Sequence, residues 1–258
     1  MPELARLGET GRDDLASLHR DLLDPPVHAA RPHVALNFVM TADGRVSYRG
    51  RAEIGSRIDR QLMFHLRSMA GAVMIGAGTL RVDPFAPSTT GRDQQPLAVV
   101  VSRTGDLPLE NRFFHHPGPR LVATSASAPP SRVAALREAG AEVAVFGETD
   151  VDLGALMAAM HERGVRFLLC EGGPTLAGQL LEARLADELF LTHATLITAE
   201  PDARRLFEGA LSPAGTVRVR RVSLHESPDG ERYERSALRY GEPLPPGGEF
   251  GTARPGRE

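Results

Sequence analysis

The chain contains no lysine; all 30 of its basic residues are arginine. That excludes a P-loop lysine and any Schiff-base chemistry on a lysine amine. It also lacks tryptophan, and Cys170 is its single cysteine, which excludes an internal disulfide and any CxxC redox or zinc pair. No run of about eighteen apolar residues occurs, so no membrane span is expected. Met1 to Leu7 shows no basic stretch followed by an apolar one, so no secretory signal is read and a cytoplasmic location is expected. The formal net charge of −3 lacks the basic excess of nucleic-acid binders. Arg204-Arg205 and Arg218-x-Arg220-Arg221 therefore read as solvated faces, with no nucleic-acid partner. No GxSxG elbow marks a serine hydrolase. The nine histidines form no obvious metal cluster in sequence, and His115-His116 beside Pro117-Gly118 reads as a solvated turn, so no metal is expected.

What is present is a chain of 258 residues, 41% hydrophobic and 24% charged, enough to bury a core in one domain or two small ones. The first 31 residues read as an N-terminal arm, with a short helix over Asp13–Leu23 that places Leu15, Leu18 and Leu22 on one face before Asp24-Pro25-Pro26 stops it. Residues 32–240 read as the folded domain, and 241–258, rich in Pro and Gly, as a disordered tail.

The body alternates in character. Strands are expected at His33–Val39, Ala72–Ile75, Leu97–Val101, Arg120–Thr124, Ala141–Phe146, Arg166–Cys170 and Leu185–Thr192. Helices are expected at Asp59–Met69, Ser131–Ala139 with Ser131 as N-cap and Gly140 as stop, Val151–Arg163 and Thr175–Glu182. Such alternation specifies an α/β sheet with parallel crossovers. Thr216–His225 and Glu231–Tyr240 flank the turn Ser227-Pro228-Asp229-Gly230 and read as a terminal antiparallel hairpin. Its apolar alternation slips near Arg221, as a bulge would make it.

Two segments join a buried strand to glycine and then to a helix start: Val73-Met74-Ile75-Gly76-Ala77-Gly78-Thr79 and Leu168-Leu169-Cys170-Glu171-Gly172-Gly173-Pro174-Thr175. Each is either a plain turn or a place where main-chain N–H groups meet a phosphate at the carboxyl end of a strand. Pro174 suits a first helical turn, where its missing N–H costs nothing. Ser102-Arg103, after another strand, reads as a solvated turn or as a holder of the 2′-phosphate that distinguishes NADP from NAD.

The ordered set Met40-Thr41-Ala42-Asp43-Gly44-Arg45, Leu66-Arg67, Gly76-Ala77-Gly78-Thr79 with Asp83-Pro84, and Glu171-Gly172-Gly173-Pro174-Thr175-Leu176 resembles the pyrimidine reductase of riboflavin biosynthesis, the reductase domain of the bifunctional deaminase-reductase. The resemblance runs from about His33 to Tyr240. It implies a dihydrofolate-reductase-like fold: a mixed, mostly parallel sheet flanked by helices, with a C-terminal antiparallel hairpin. It implies an oxidoreductase that uses NADPH on 5-amino-6-(5-phosphoribosylamino)uracil, and a homodimer. The family's deaminase signature, HxE followed by PCxxC, is missing, and one cysteine cannot build that zinc site.

By position, the resemblance implies a cofactor site of Met40 main chain, Gly76, Thr79, Asp83, Ser102, Arg103 and the loop Gly172, Gly173, Pro174, Thr175, Leu176 and Ala177. It implies substrate contacts from Arg67, Glu171 and Arg92, with Arg67 on the phosphate, and makes Asp43 and Glu171 the candidates to route a proton. The bare residues also allow Asp43-Gly44 as a turn and Arg67 as a buried arm paired with an acid. Departures from the family pattern lie on the substrate side: Thr41-Ala42 for Ser-Leu, Arg51-Ala52-Glu53-Ile54 where a Ser and a Trp are usual, and Phe85-Ala86-Pro87 after Asp83-Pro84. Alternatives kept open are a dihydrofolate-reductase-like activity and a non-catalytic NADPH-binding regulatory protein.

Overall fold

The computed structural model describes residues 3–6, 12–52, 54–87, 89, 94–209 and 216–241. In chain order these form β1 (Glu3–Arg6), β2 (Arg12–Asp14), β3 (His33–Met40), α1 (Arg57–Met69), β4 (Ala72–Gly76), α2 (Ala77–Val82), β5 (Leu97–Val101) and β6 (Arg120–Thr124). There follow α3 (Pro130–Glu138), β7 (Glu142–Val145), α4 (Leu153–Glu162), β8 (Phe167–Cys170), α5 (Pro174–Glu182), β9 (Glu188–His193), β10 (Val217–Glu226) and β11 (Arg232–Tyr240).

All eleven strands lie in one sheet, ordered β2-β1-β10-β11-β9-β3-β8-β4-β5-β6-β7. From β9 to β7 every pairing is parallel, and the four strands beyond β9 pair antiparallel. This is the mixed, mostly parallel α/β sheet with a terminal hairpin that the alternation specified. The β10–β11 ladder shifts register between Arg221 and Ser223, at the place where the apolar alternation slips. The hairpin closes through Gly230, whose φ of +81° suits a residue without Cβ.

Both faces of the parallel strands are covered, so these strands read as continuous apolar runs. Val73, Ile75, Phe167 and Leu169 pack on one face with Leu62 and Leu66 of α1. Met74, Leu168 and Cys170 pack on the other with Leu156 and Met160 of α4 and Leu176 and Leu180 of α5.

Three local expectations are corrected. The stretch Asp13–Leu23 is not one helix but two 3₁₀ turns, Leu15–Ser17 and Arg20–Leu23, separated by His19 at φ 59°. Leu15, Leu18 and Leu22 are nevertheless buried, because burial of that face rather than helix continuity is what the core selects. Ahead of them, β1 pairs with β10, so the arm extends the sheet. Ser131 is inside α3 rather than its N-cap; the helix starts one residue earlier, at Pro130, where a proline is tolerated. Of the expected tail, 242–258 lie outside the described residues.

Candidate active site

The site grows from a mismatch in strand length. β8 pairs with β3 only from His33↔Phe167 to Leu36↔Cys170, whereas β9 follows β3 on to Met40↔His193. Beyond Leu36, therefore, one edge of β3 is left open at the carboxyl end of the sheet. Open α/β sheets bind ligands at such an end. The Met40 carbonyl accepts from Ala194 N at 2.8 Å, so Met40 turns its peptide groups to β9. Strand alternation then turns those of Val39 towards the opening, a shift of one residue from the expected Met40.

The chain leaving β8 forms the far wall. Glu171 N donates to Met74 O at 2.9 Å and Gly76 N donates to Gly172 O at 2.8 Å, so the two glycine junctions are fastened to each other. Gly172 has φ +112°, and a Cβ there would lie 3.5 Å from Phe38 and 3.7 Å from the Thr79 hydroxyl. At Gly173 a Cβ would stand 3.0 Å from the same hydroxyl. Thr79 thus roofs a cradle of bare backbone. α5 starts from Gly173 with Pro174 in its first turn and no side-chain cap, leaving its first amides free for an anion. Leu176 and Ala177 face the core, so they offer main chain only.

The rest of the expected cofactor set lies along the same edge. Asp83 ends α2, its N–H bonded to Thr79 O, and the Asn111 side chain donates to the carbonyls of Leu80 and Asp83. Ser102 is buried at the end of β5, and Arg103 beside it is exposed, with Asp150 at 3.6 Å. β5 lies two strands from β8, about 10 Å away at ordinary strand spacing.

On the face beneath α1 lies a polar cluster. Arg67 and Glu171 form a two-pronged pair, Nε to Oε1 and Nη2 to Oε2, each 2.6 Å, with side chains only 11% and 8% exposed. Arg67 is therefore the buried arm paired with an acid. Two of its five N–H donors are used on Glu171, which leaves the Nη1 side of the fork for the expected phosphate contact. Burial pushes the guanidinium pKa down, but the Glu171 charge and hydrogen bonds outweigh this and hold it above its ordinary value.

Asp43, the other expected proton carrier, is held by main-chain amides. Its carboxylate accepts from Thr198 N at 3.3 Å and Ala199 N at 3.0 Å, tying the loop after β3 to the loop after β9. The Thr41 hydroxyl first, and then these two amides, hold its pKa below the usual carboxylate range despite the opposing effect of burial. An anchored, exposed carboxylate of this kind is a poor proton donor. Arg92 lies outside the described residues.

The residue that sequence reading missed is Asp59, in the first turn of α1. Ser56 caps that helix, its Oγ accepting from Ile58 N and Asp59 N. Ser56 also donates from its amide and hydroxyl to Glu231, to which Tyr233 OH donates at 2.5 Å. The Asp59 carboxylate folds back over Gly55, where a Cβ would fall 2.0 Å from Oδ2. Burial pushes its pKa up to about 6, with Glu231 and Glu171 adding to the rise and Thr192 and Arg60 opposing it. Of these three carboxylates, Glu171 has an arginine and Glu231 three donors. Asp59 has no such set of donors, and burial is what raises its pKa. Thr192 beside it pairs with Val39, next to the open edge of β3. The sequence signal was present, a Gly before Ser56-x-x-Asp59, but that spacing reads first as a helix cap.

A Gly-lined cradle thus lies at the carboxyl edge of an α/β sheet, beside a carboxyl whose pKa is raised to about 6. Residues 32–230 match the RibD C-terminal domain, and the chain belongs to that family. It is 36% identical over 184 residues to the 2,5-diamino-6-ribosylamino-4(3H)-pyrimidinone 5′-phosphate reductase of Methanothermobacter thermautotrophicus, covering 69% of this chain and 85% of that protein. The enzyme of the same name from Archaeoglobus fulgidus is 33% identical over 194 residues, covering 69% and 87%. Among solved structures, a pyrimidine reductase-like protein from Corynebacterium diphtheriae superposes with a TM-score of 0.71 at 25% identity, covering 81% of this chain and 92% of that one. The chain is thus an oxidoreductase of that family. No helix among the described residues is long and apolar enough to cross a membrane.

Proposed function

We propose that this protein uses NADPH to reduce the ribosylamino group of a phosphorylated pyrimidine to a ribitylamino group. The observation that carries the reading is the open edge of β3, walled by the Gly172-Gly173 turn and floored by Asp59 and Glu171. The two relatives above favour the 2,5-diamino-pyrimidinone as substrate over the uracil that the motifs alone suggested.

The residues fit the cofactor. Gly172, Gly173 and the first turn of α5 would hold the pyrophosphate under Thr79 and Asp83, and Val39 main chain would meet the carboxamide. Ser102 and Arg103 would take the 2′-phosphate. NADPH supplies, when bound, the hydride that turns the imine carbon of the opened sugar into CH₂, and the nitrogen takes one proton in balance. Asp59 holds that proton. Glu171, held by Arg67, has lone pairs left to accept from a ribosyl hydroxyl or pyrimidine N–H.

Incubating the protein with NADPH and each of the two pyrimidines, with dihydrofolate as the control, tests the reading. Loss of nicotinamide absorbance with a product two mass units heavier is expected with a pyrimidine. Inertness towards both pyrimidines would overturn it, and tight NADPH binding with no turnover on any of the three would favour a regulatory role.

Two further outcomes are expected here. NADPH binds about 10–100-fold more tightly than NADH in calorimetry, the worth of one or two charge-assisted hydrogen bonds to the 2′-phosphate. Equal affinities would remove Ser102 and Arg103 from the site. Gly172→Val raises the Kd for NADPH at least about tenfold, because the new side chain fills the cradle and dislikes a positive φ. An unchanged Kd in a folded variant would detach the loop from the cofactor. The exposed Val219 and Val222 on β10 support the homodimer read from the family resemblance, which light scattering checks.

A further inference from the structure

At the opposite end of the sheet, where β3 and β9 begin, three side chains converge without a task in the reduction. His28 comes from the segment before β3, His33 is the first residue of β3, and Asp187 precedes β9. One donor atom from each lies within 4.8 Å of the others. His28 Nε2 is 3.2 Å from Asp187 Oδ1, and His33 Nδ1 is 3.6 Å from Asp187 Oδ2. Donors about 2.0–2.1 Å from a tetrahedral zinc ion lie roughly 3.3 Å apart, so the His28–Asp187 spacing suits one and the remaining separations, within 4.8 Å, close on binding.

His33 is only 4% exposed, yet neither of its ring nitrogens has a hydrogen-bond partner, the carboxylates nearest them lying 3.6 and 3.7 Å away. A buried imidazole with nothing to bond is costly, and His33, set beside the partly exposed His28 and the Asp187 carboxylate, has room for a shared ligand. The surroundings are those of supported metal ligands. Nε2 of His33 faces Glu188 Oε1 at 3.7 Å, the carboxylate that would orient its ring. Asp187 is itself steadied by Arg31, at 2.6 and 2.7 Å, and by Val34 N at 2.8 Å. These three bonds leave one lone pair of its four, on Oδ1, the oxygen nearest His28.

We propose that His28, His33 and Asp187 bind a zinc-class divalent cation that fastens the N-terminal segment to the start of the sheet. Two imidazoles and one carboxylate select zinc or a neighbouring first-row metal over magnesium or calcium, which prefer all-oxygen shells. Water completes the shell through the partly exposed His28 side. The role is structural, because β3 alone, eight residues long, separates this end from the cofactor edge by about 25 Å.

The test uses the full chain without a histidine tag, stripped with chelator and dialysed. Titration with zinc chloride in a calorimeter, with metal counted by mass spectrometry, should give one zinc per chain and a higher Tm, while magnesium chloride gives neither. His28→Gln, at a partly exposed position, should weaken zinc binding by more than the 10–100-fold typical of losing a supporting group. His33→Asn should do the same, and stripped enzyme should keep its turnover with NADPH. No zinc above background, or undiminished binding in both variants, would overturn the proposal.

Discussion

Replacing Asp59 with Asn is expected to slow turnover by about 10²–10⁴-fold, the usual worth of a positioned proton donor, while making the fold more stable at neutral pH. The two effects share one cause. The folded protein raises the Asp59 pKa from 3.8 to about 6, so the folded state binds more protons than the unfolded state between those values. Its contribution to stability is present below pH 4 and lost as pH rises through 6. At pH 7 the ionised carboxylate therefore costs on the order of 3 kcal/mol, and the uncharged amide relieves it. Denaturant melts at pH 4 and pH 7 should show Asp59→Asn gaining only at the higher pH. In the wild type, kcat should fall as pH rises through about 6, and that limb should be missing from the variant. A variant with full activity, or one destabilised at every pH, would return Asp59 to the role of a helix-start residue.

The second large effect is at Arg67. Arg67→Ala leaves the Glu171 carboxylate buried without its cation, and breaking such a pair costs about 3–5 kcal/mol. For a chain of this size that corresponds to a Tm lower by on the order of 10 °C. Adding Glu171→Gln to Arg67→Ala removes the stranded charge and should restore part of the loss, a coupling that a double-mutant cycle measures. Activity should stay low in the double variant, since the carboxylate beside the cradle is gone. An unchanged Tm, with only KM for a phosphorylated substrate raised, would instead make Arg67 a substrate ligand.

Much of this was legible along the chain. The parallel strands are short apolar runs between glycines because both faces of the sheet are covered, and the hairpin declares itself through Asp229-Gly230. Even the bulge near Arg221 shows as a slip of alternation. The glycine cradle was legible too, since only glycine tolerates the φ of residue 172. Arg67 was harder. A guanidinium on an apolar helix face has the same sequence signature whether it meets a phosphate or a carboxylate 104 positions away.

Asp59 and the His28–His33–Asp187 group were hidden for a related reason. Local order, hydrophobic period, turn chemistry and backbone permissiveness are properties of neighbouring residues, and the amino-acid sequence by itself determined them here: the α/β alternation, the hairpin and the bare-backbone turns at the strand ends. Which charged group meets which is a property of distance in space. Only tertiary packing decided that Glu171 is paired, Asp43 is tied down and Asp59 has a raised pKa, because a carboxyl responds to the dielectric and the charges within a few ångströms of it, and those come from segments far apart along the chain.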